Sequence, residues 1–470
     1  MKVLIENLAL IKDSKFSDAQ FNVVVGNNGS GKTIFLETIV YIKKALGQLL
    51  KKKISDTEIL KKLIKLYWDD KAIVSKLLNT PFTVFERSRF EGECSFELQY
   101  KLLDAFLKDT LSDFNKSINT EILVNILGGN SNKKSHGMRL EVTEVDYLKI
   151  DKVQFAISKV DDTQVRLDVF NGFQKEFKLF SIVKEMEYDV DQSEAVNQID
   201  EENTFTFRPV LFGVEEIEEQ LKDYINECII KLIINDVVYS DIAFFPTERS
   251  SFYDKGIVKM IVHNPEDVDI RYSEKLFYKS YDNFKDFTKR FRLPSIRNSK
   301  VLSEMVDGDY IYDDDGEIVG FKQKDGIEVP KRLFSTKQNR MMPYLMLENP
   351  LERFELVVIE EPEAHLSISS MRKLIPFFEN IIKNKKQKLI ISTHSEILLQ
   401  LLNNTLLLDE DISSNVYELI NLEDGRTNLK EAEKTPFGYR VKLMTQGLEK
   451  LFEESNKIHS KILEDMDDDI

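Results

Sequence analysis

An α/β fold with a mixed central sheet is what the sequence predicts, and three segments predict it. Val23-Val24-Val25 is a short buried-strand pattern that runs into a glycine-rich loop and then an apolar-periodic helix, Ile34 to Leu46. Phe354 to Ile359 and Leu389 to Thr393 are apolar runs of strand length, the first ending in carboxylates and the second in a histidine. Between them Ser369 to Lys383 is helix-like, and strand, helix, strand in that spacing is a crossover that lays two parallel strands together in one sheet.

The glycine-rich loop is Gly26-Asn27-Asn28-Gly29-Ser30-Gly31-Lys32-Thr33, matching GxxxxGK[ST] between a strand and a helix. Glycines let backbone N–H groups converge on phosphate oxygens, and the helix N-terminus adds positive potential. In that chemistry Lys32 reaches the β- and γ-phosphates and Thr33 ligates Mg²⁺. The alternative is a simple glycine-rich turn.

Composition bounds the rest. The chain has 470 residues, about three domains' worth. Its 18 glycines and 11 prolines leave little room for long linkers or low-complexity tracts. A net charge of −16 argues against a surface that coats nucleic acid or anionic membrane. Cys94 and Cys228 are far apart, and the five histidines (136, 263, 365, 394 and 459) form no metal-binding pair, so neither a disulfide framework nor a zinc site is expected. The opening residues lack a signal-peptide core and no apolar run approaches the ~20 residues of a membrane span. A soluble, cytoplasmic protein without a membrane partner is the expectation.

The second half of the site is Glu360-Glu361-Pro362-Glu363, at the carboxyl end of its strand, where ligands of open α/β sheets bind. Glu360 takes the Walker B position, holding Mg²⁺ through water, and Glu361 orients and polarises an attacking water. The competing reading is a solvated acidic turn. His394 follows Glu361 by 33 residues, so the crossover brings it beside Glu361, facing the γ-phosphate.

Taken in order, GNNGSGKT, LVVIEEPEAHL and IISTHS resemble the ABC-type ATPase heads of the SMC, RecF and OLD group. The opening IENLALIKDSKF before FNVVVGNNGSGKT is similar to the stand-alone ATPases of bacterial anti-phage and abortive-infection systems, such as PtuA of Septu and AriA of PARIS. The matches cover about 1–45 and 325–425. The resemblance implies ATP and Mg²⁺ as ligands, a P-loop head whose mixed sheet carries an antiparallel β subdomain, and a signature loop that acts across a dimer. The best candidate for that loop is Leu333 to Gln338, in which Ser335 matches and Lys337 replaces a glycine. Loss of that glycine weakens backbone approach to phosphate unless Lys337 supplies charge instead. Glu360 is one methylene longer than the usual Asp. Asn339-Arg340 reads either as phosphate-facing or, as favoured here, as a solvated helix start. Ile242 to Ser250 resembles a "PAER"-type loop, in which Arg249 couples nucleotide state to a partner surface; otherwise Thr247 caps a helix with Glu248 in its first turn.

The expected head is discontinuous, at 1–50, 236–254 and 306–430. Residues 51–235 form an inserted α+β region partly belonging to the β subdomain, 255–305 a helical lid or arm, and 431–470 a C-terminal helix with an acidic tail. No sustained heptad pattern supports a long coiled-coil arm. Lys43 to Lys65 reads as a helical stretch, Phe82 to Leu98 and Leu140 to Phe180 as strand-rich around a loop at 128–137, Val214 to Ile234 as an acidic helix, and Asp309 to Ile327 as a hairpin. Phe277, Tyr281, Phe284, Phe287 and Phe291 form an aromatic stripe, read as buried rather than as a nucleic-acid surface. Neither a TOPRIM-like nor an HNH-like nuclease arrangement is present after or among these motifs. The expected partners are therefore a second copy, as a homodimer or higher homo-oligomer, and a separately encoded effector, with a nuclease favoured. The trigger is a nucleic acid or a phage protein. Two other functions compete: a RecF/SMC-like DNA-repair ATPase, and an ATP-bound scaffold with negligible hydrolysis.

Overall fold

A computed structural model describes residues 1–54, 64–68, 92–98, 100–128, 137–145, 153–159, 164–170, 175–181, 242–249, 270–291, 300–313, 317–348, 354–436, 438–442, 452–457 and 459. The acidic helix expected at 214–234, most of the loop at 128–137 and the acidic tail at 464–469 lie outside the described residues.

In chain order the strands begin with β1 (Lys2–Leu8), β2 (Ile11–Ser17), β3 (Phe21–Gly26), β4 (Ile64–Trp68), β5 (Gly92–Leu98) and β6 (Arg139–Glu144). Next come β7 (Val153–Lys159), β8 (Gln164–Phe170), β9 (Lys175–Ser181), β10 (Ile242–Phe245), β11 (Gly308–Tyr312), β12 (Ile318–Gln323) and β13 (Glu328–Pro330). The last are β14 (Leu356–Glu360), β15 (Lys388–Thr393), β16 (Ser414–Asn421), β17 (Thr427–Glu431), β18 (Glu433–Thr435) and β19 (Gly438–Arg440). The α-helices are α1 (Lys32–Ile54), α2 (Tyr100–Asn125), α3 (Tyr272–Phe291), α4 (Lys300–Val306), α5 (Thr336–Met341), α6 (Ile368–Arg372), α7 (Leu374–Glu379) and α8 (Glu396–Asn403).

Nine strands make one sheet in the order β10-β14-β15-β3-β16-β17-β2-β1-β6. From β10 to β16 every neighbour is parallel. β17 then runs antiparallel to β16 and parallel to β2, and β2, β1 and β6 finish antiparallel. This is the mixed α/β sheet that the sequence predicts. β3, β10 and β14 are buried along their whole length, as continuous apolar runs in a parallel sheet require. Phe21, Val23 and Val25 of β3 share a core with Val357 and Ile359, Ile391, Phe377 and Leu398. The same core takes in Phe277, Tyr281 and Phe284, so the first three members of the aromatic stripe are buried. Phe321 and Tyr310 belong to the predicted hairpin, which is β11 paired antiparallel with β12.

The chain divides into two compact units. The first comprises Met1–Lys43, Asn115–Glu144 and Tyr239–Ile470 and holds the nine-stranded sheet. The second comprises Lys44–Phe114 and Val145–Val238, where β4, β5, β7, β8 and β9 form an antiparallel sheet in that order. A helix through Lys43 to Lys65 is not what forms: α1 is described as far as Ile54, and Ile64 opens β4, whose IKLYW sequence carries β-branched and aromatic residues. The crossover helix expected at 369–383 is also broken. Pro376 has no N–H for the Arg372 carbonyl, so α6 ends there and α7 starts two residues on.

A buried ion cluster ties the turn before β3 to its flanking elements. Asp18 accepts from Lys43 of α1 at 2.6 Å and from Lys388 of β15 at 3.1 Å, and Lys43 and Asp18 are wholly buried. Burial alone would push the Asp18 carboxyl up, but the two ammoniums outweigh it and hold the group below its ordinary value. A depressed folded-state value stabilises the fold above the unfolded carboxylate value of about 4 and is lost as pH falls through the folded one. Asp18→Asn should therefore cost roughly 3–5 kcal/mol in urea unfolding at neutral pH, because it removes the carboxylate from a buried ion cluster. The difference from the wild type should shrink below about pH 4.

Candidate active site

The parallel strands end together. Glu360 of β14 pairs with Ser392 of β15, and Thr393 of β15 pairs with Val25 of β3. The glycine-rich loop, the two glutamates and His394 therefore leave the sheet at one carboxyl edge.

The loop turns tightly there. A Cβ on Gly26 would lie 2.6 Å from Ser30 Oγ, and Gly31 has φ +96°, so neither position accepts a side chain readily. Thr427 Oγ1 donates to the Ser30 carbonyl at 3.0 Å, bracing the loop from the start of β17. Lys32 Nζ donates to the carbonyls of Gly26 (2.8 Å) and Asn27 (3.1 Å) and lies 3.7 Å from Glu361 Oε1. Burial pulls its ammonium below the ordinary value, opposed by the pull of Glu361, Glu363 and Glu360.

Glu360 is buried. Its carboxylate accepts from the Thr247 N–H at 3.2 Å and lies beside the Thr33 side chain. Its other oxygen, Oε1, has no hydrogen-bond partner among the described residues. Burial pushes the carboxyl up to about 7. An orphaned, buried carboxylate oxygen beside a threonine hydroxyl is a pair of hard oxygen donors, which fits Mg²⁺. Among the described residues no group of three or more His, Cys, Asp or Glu side chains forms a self-contained metal cage. Such a cation would draw its remaining ligands from water and phosphate.

Glu361 has φ +42°, a left-handed backbone for a residue with a Cβ, and its N–H is held by the Ser392 carbonyl at 3.0 Å. His394 Nδ1 lies 3.1 Å from Glu361 Oε1 and 3.7 Å from Glu363 Oε1. Nδ1 therefore faces both carboxylates. The imidazole is 40 % exposed at the mouth of the site.

Sequence reasoning left Glu363 without a role, although it lies in the quoted EEPEAHL segment. Glu363 is buried, and its Oε1 accepts from Thr393 Oγ1 at 2.6 Å and from the His394 N–H at 3.2 Å, so it fixes the turn that delivers the histidine. Burial pushes its carboxyl up. Its spacing carried no signal beyond the acidic run itself.

Ser335 and Lys337 are placed differently. Ser335 caps α5: its Oγ accepts from the Gln338 N–H, while Gln338 Oε1 accepts from the Ser335 N–H. The S-x-x-Q spacing is the sequence signal for that box. Lys337 Nζ donates to Asp307 Oδ2 at 2.8 Å, and Lys373 bonds the same carboxylate. Arg340 is not on a solvated helix start; it is 1 % exposed, on the inner face of α5. Arg249 is wholly buried and cannot itself present a partner surface. Thr247–Arg249 form a turn, and Thr247 contributes its backbone N–H to Glu360.

A phosphate-binding loop, an Mg²⁺-competent Thr-Glu pair and a glutamate–histidine pair at one edge of a parallel sheet define a P-loop ATPase. The chain belongs to the AAA ATPase domain family, whose profile matches residues 1–399. No curated protein matches it. Solved structures similar to the chain include the SMC head domain from Thermotoga maritima, with 11 % identity and a TM-score of 0.29, covering 92 % of this chain and 98 % of that one. Another is the Smc head domain with an extended coiled coil bound to the C-terminal domain of ScpA, from Pyrococcus furiosus. It has 12 % identity and a TM-score of 0.33, covering 97 % of this chain and 98 % of that one. Among the described residues no helix is long and apolar enough to cross a membrane.

Because Glu360 must lose a proton to hold a cation, Mg²⁺ affinity of the ATP-loaded protein should rise with pH. The slope should be up to about tenfold per unit below the value near 7 and flat above it. Calorimetric Mg²⁺ titration between pH 6 and 8 reads this, and Glu360→Gln should bind weakly with no such slope.

Proposed function

We propose that this ATPase is ABC-type and closes on ATP as a homodimer or a higher homo-oligomer in the cytoplasm. Its nucleotide state would hold and release a separately encoded effector, a nuclease being the favoured class, in an anti-phage system. A nucleic acid or a phage protein is the trigger. The observation that carries the dimer is a division of labour. Lys32, Thr33, Glu360, Glu361 and His394 gather at one edge, whereas Ser335 and Lys337 bond to Gln338 and Asp307. A signature supplied by a second copy completes the site.

In this mechanism the loop from Gly26 to Gly31 and Lys32 hold the phosphates, and Thr33 with Glu360 holds Mg²⁺. When bound, the cation neutralises charge on the phosphate oxygens. Glu361 orients the attacking water, with its carboxylate positioned by His394 Nδ1 3.1 Å away. Ser335 of the second copy touches the γ-phosphate, and loss of that phosphate releases the pair.

Membership of the AAA ATPase domain family suits a RecF/SMC-like DNA-repair ATPase equally well. That reading expects turnover to be stimulated by DNA with a steep salt dependence. The self-capped Ser335 and the paired Lys337 favour a third reading, a scaffold that holds ATP with negligible turnover.

Glu361→Gln should slow hydrolysis by ~10²-fold or more and accumulate an ATP-bound dimer, read by light scattering with chromatography. An unchanged rate with no trapped species sinks the assignment. Co-purification from the native operon separates the defence and repair readings: a neighbouring-gene nuclease retained with ATP supports the first, and a chain that purifies alone and responds to DNA supports the second.

A further inference from the structure

Behind the site lies a buried arginine with a specific set of acceptors. Arg249 Nη1 donates to the carbonyls of Pro246 and Glu360, each at 3.1 Å, and its Nε donates to the carbonyl of Arg340 at 3.1 Å. The Pro246 carbonyl also accepts from the Arg249 N–H at 3.2 Å, which closes the turn. The parallel register between β10 and β14 ends at Phe245 and Ile359, and the next N–H on that side, that of Thr247, goes to the Glu360 side chain. The Arg340 carbonyl sits where α5 passes into a 3₁₀ segment, Met342–Glu348, and Pro343 has no N–H to offer in the 3₁₀ pattern. The guanidinium packs over the Tyr344 ring, 5.2 Å from its centroid. One planar group thus joins the helix that begins at Ser335 to the backbone of Glu360, which precedes Glu361.

Resting on the reading that Ser335 acts on a second copy's nucleotide, we propose that Arg249 is a positioning residue linking signature helix α5 to the Glu360-Glu361 turn of its own site. The two nucleotide sites of the dimer are thereby coupled. When Ser335 of one protomer engages the γ-phosphate held by its partner, any shift of α5 is carried through the Arg340 carbonyl and the guanidinium to Glu360. Glu361, held in a left-handed conformation, is the next residue along. A lysine cannot replace this link, because a single ammonium lacks the rigid fork that meets divergent carbonyls.

The test uses the full-length protein. ATP turnover is measured against ATP concentration for the wild type, Arg249→Gln and Arg249→Lys, with ATP binding and thermal unfolding of each followed in parallel. The wild type should be cooperative, with a Hill coefficient approaching ~2. Both variants should fall to ~1, with kcat lowered roughly 2- to 30-fold and ATP affinity kept within about twofold. If Arg249→Gln does not fold, Arg249→Lys decides. Should Glu361→Gln form no ATP-dependent dimer, the reading of Ser335 fails and the coupling falls with it. A dimer that forms while the Arg249 variants keep wild-type cooperativity and kcat overturns the coupling alone. So does a dimer whose wild-type turnover is not cooperative.

Discussion

Parallel pairing of β14 with β15 at Glu360 and Ser392, and of β15 with β3 at Thr393 and Val25, is the constraint from which the site follows. Parallel strands deliver their carboxyl ends to one edge, and adjacent strands lie about 5 Å apart. The residue after each strand is therefore placed within hydrogen-bond reach of its neighbours before any side chain chooses a rotamer. The 3.1 Å approach of His394 to Glu361 and the 3.7 Å approach of Lys32 to Glu361 are consequences of that register. A slip of one residue in β15 would turn Thr393 to the opposite face and carry His394 away from Glu361.

The same edge concentrates charge in a poorly solvated space. Glu360 and Glu363 are both buried, and burial raises both carboxyls. Lys32 moderates this from one side, its own ammonium lowered by the same burial. On the far side Arg249 and Arg340 lie close enough that repulsion from Arg249 adds to burial in depressing the Arg340 guanidinium. A buried charge is tolerable only when its neighbours hold it. Arg249 is held by three carbonyl bonds and a ring face, while among the described residues its Nη2 and the Nε and Nη2 of Arg340 have no hydrogen-bond partner.

What could be read in the sequence was local. The glycine-rich loop, the carboxylates after one strand and the histidine after another each sit within a few residues of the apolar run that positions them, and short-range pattern suffices for these. The crossover placed β14 beside β15 because connection rules are general. Arg340 and Asp18 were not legible. Arg340 lies beside Asn339 in a polar stretch, and it is the neighbourhood of Arg249, about 90 residues away in the chain, that buries it. Asp18 is one of 81 acidic residues, distinguished only by Lys43 and Lys388 converging on it from distant elements. Periodicity identifies an inward face only for apolar side chains, so buried charges escape it.

In the proposed signature loop, Lys337 stands where the resemblance has a glycine. A lysine in the first turn of α5 opposes the positive end of the helix dipole, and its ammonium would be repelled there without a counter-charge. Asp307 supplies one, from a left-handed backbone position at φ +66°. The carboxylate also serves Lys373, and Lys324 lies 3.8 Å away, so one negative charge stands among three positive ones. The cluster keeps an excess of positive charge even with Lys337 engaged. A phosphate brought to α5 would meet a field already favourable to it, and Lys337 could turn from Asp307 without stripping that carboxylate of its partners. In the proposed signature role, this position trades the close backbone approach a glycine allows for a side-chain cation beside Ser335.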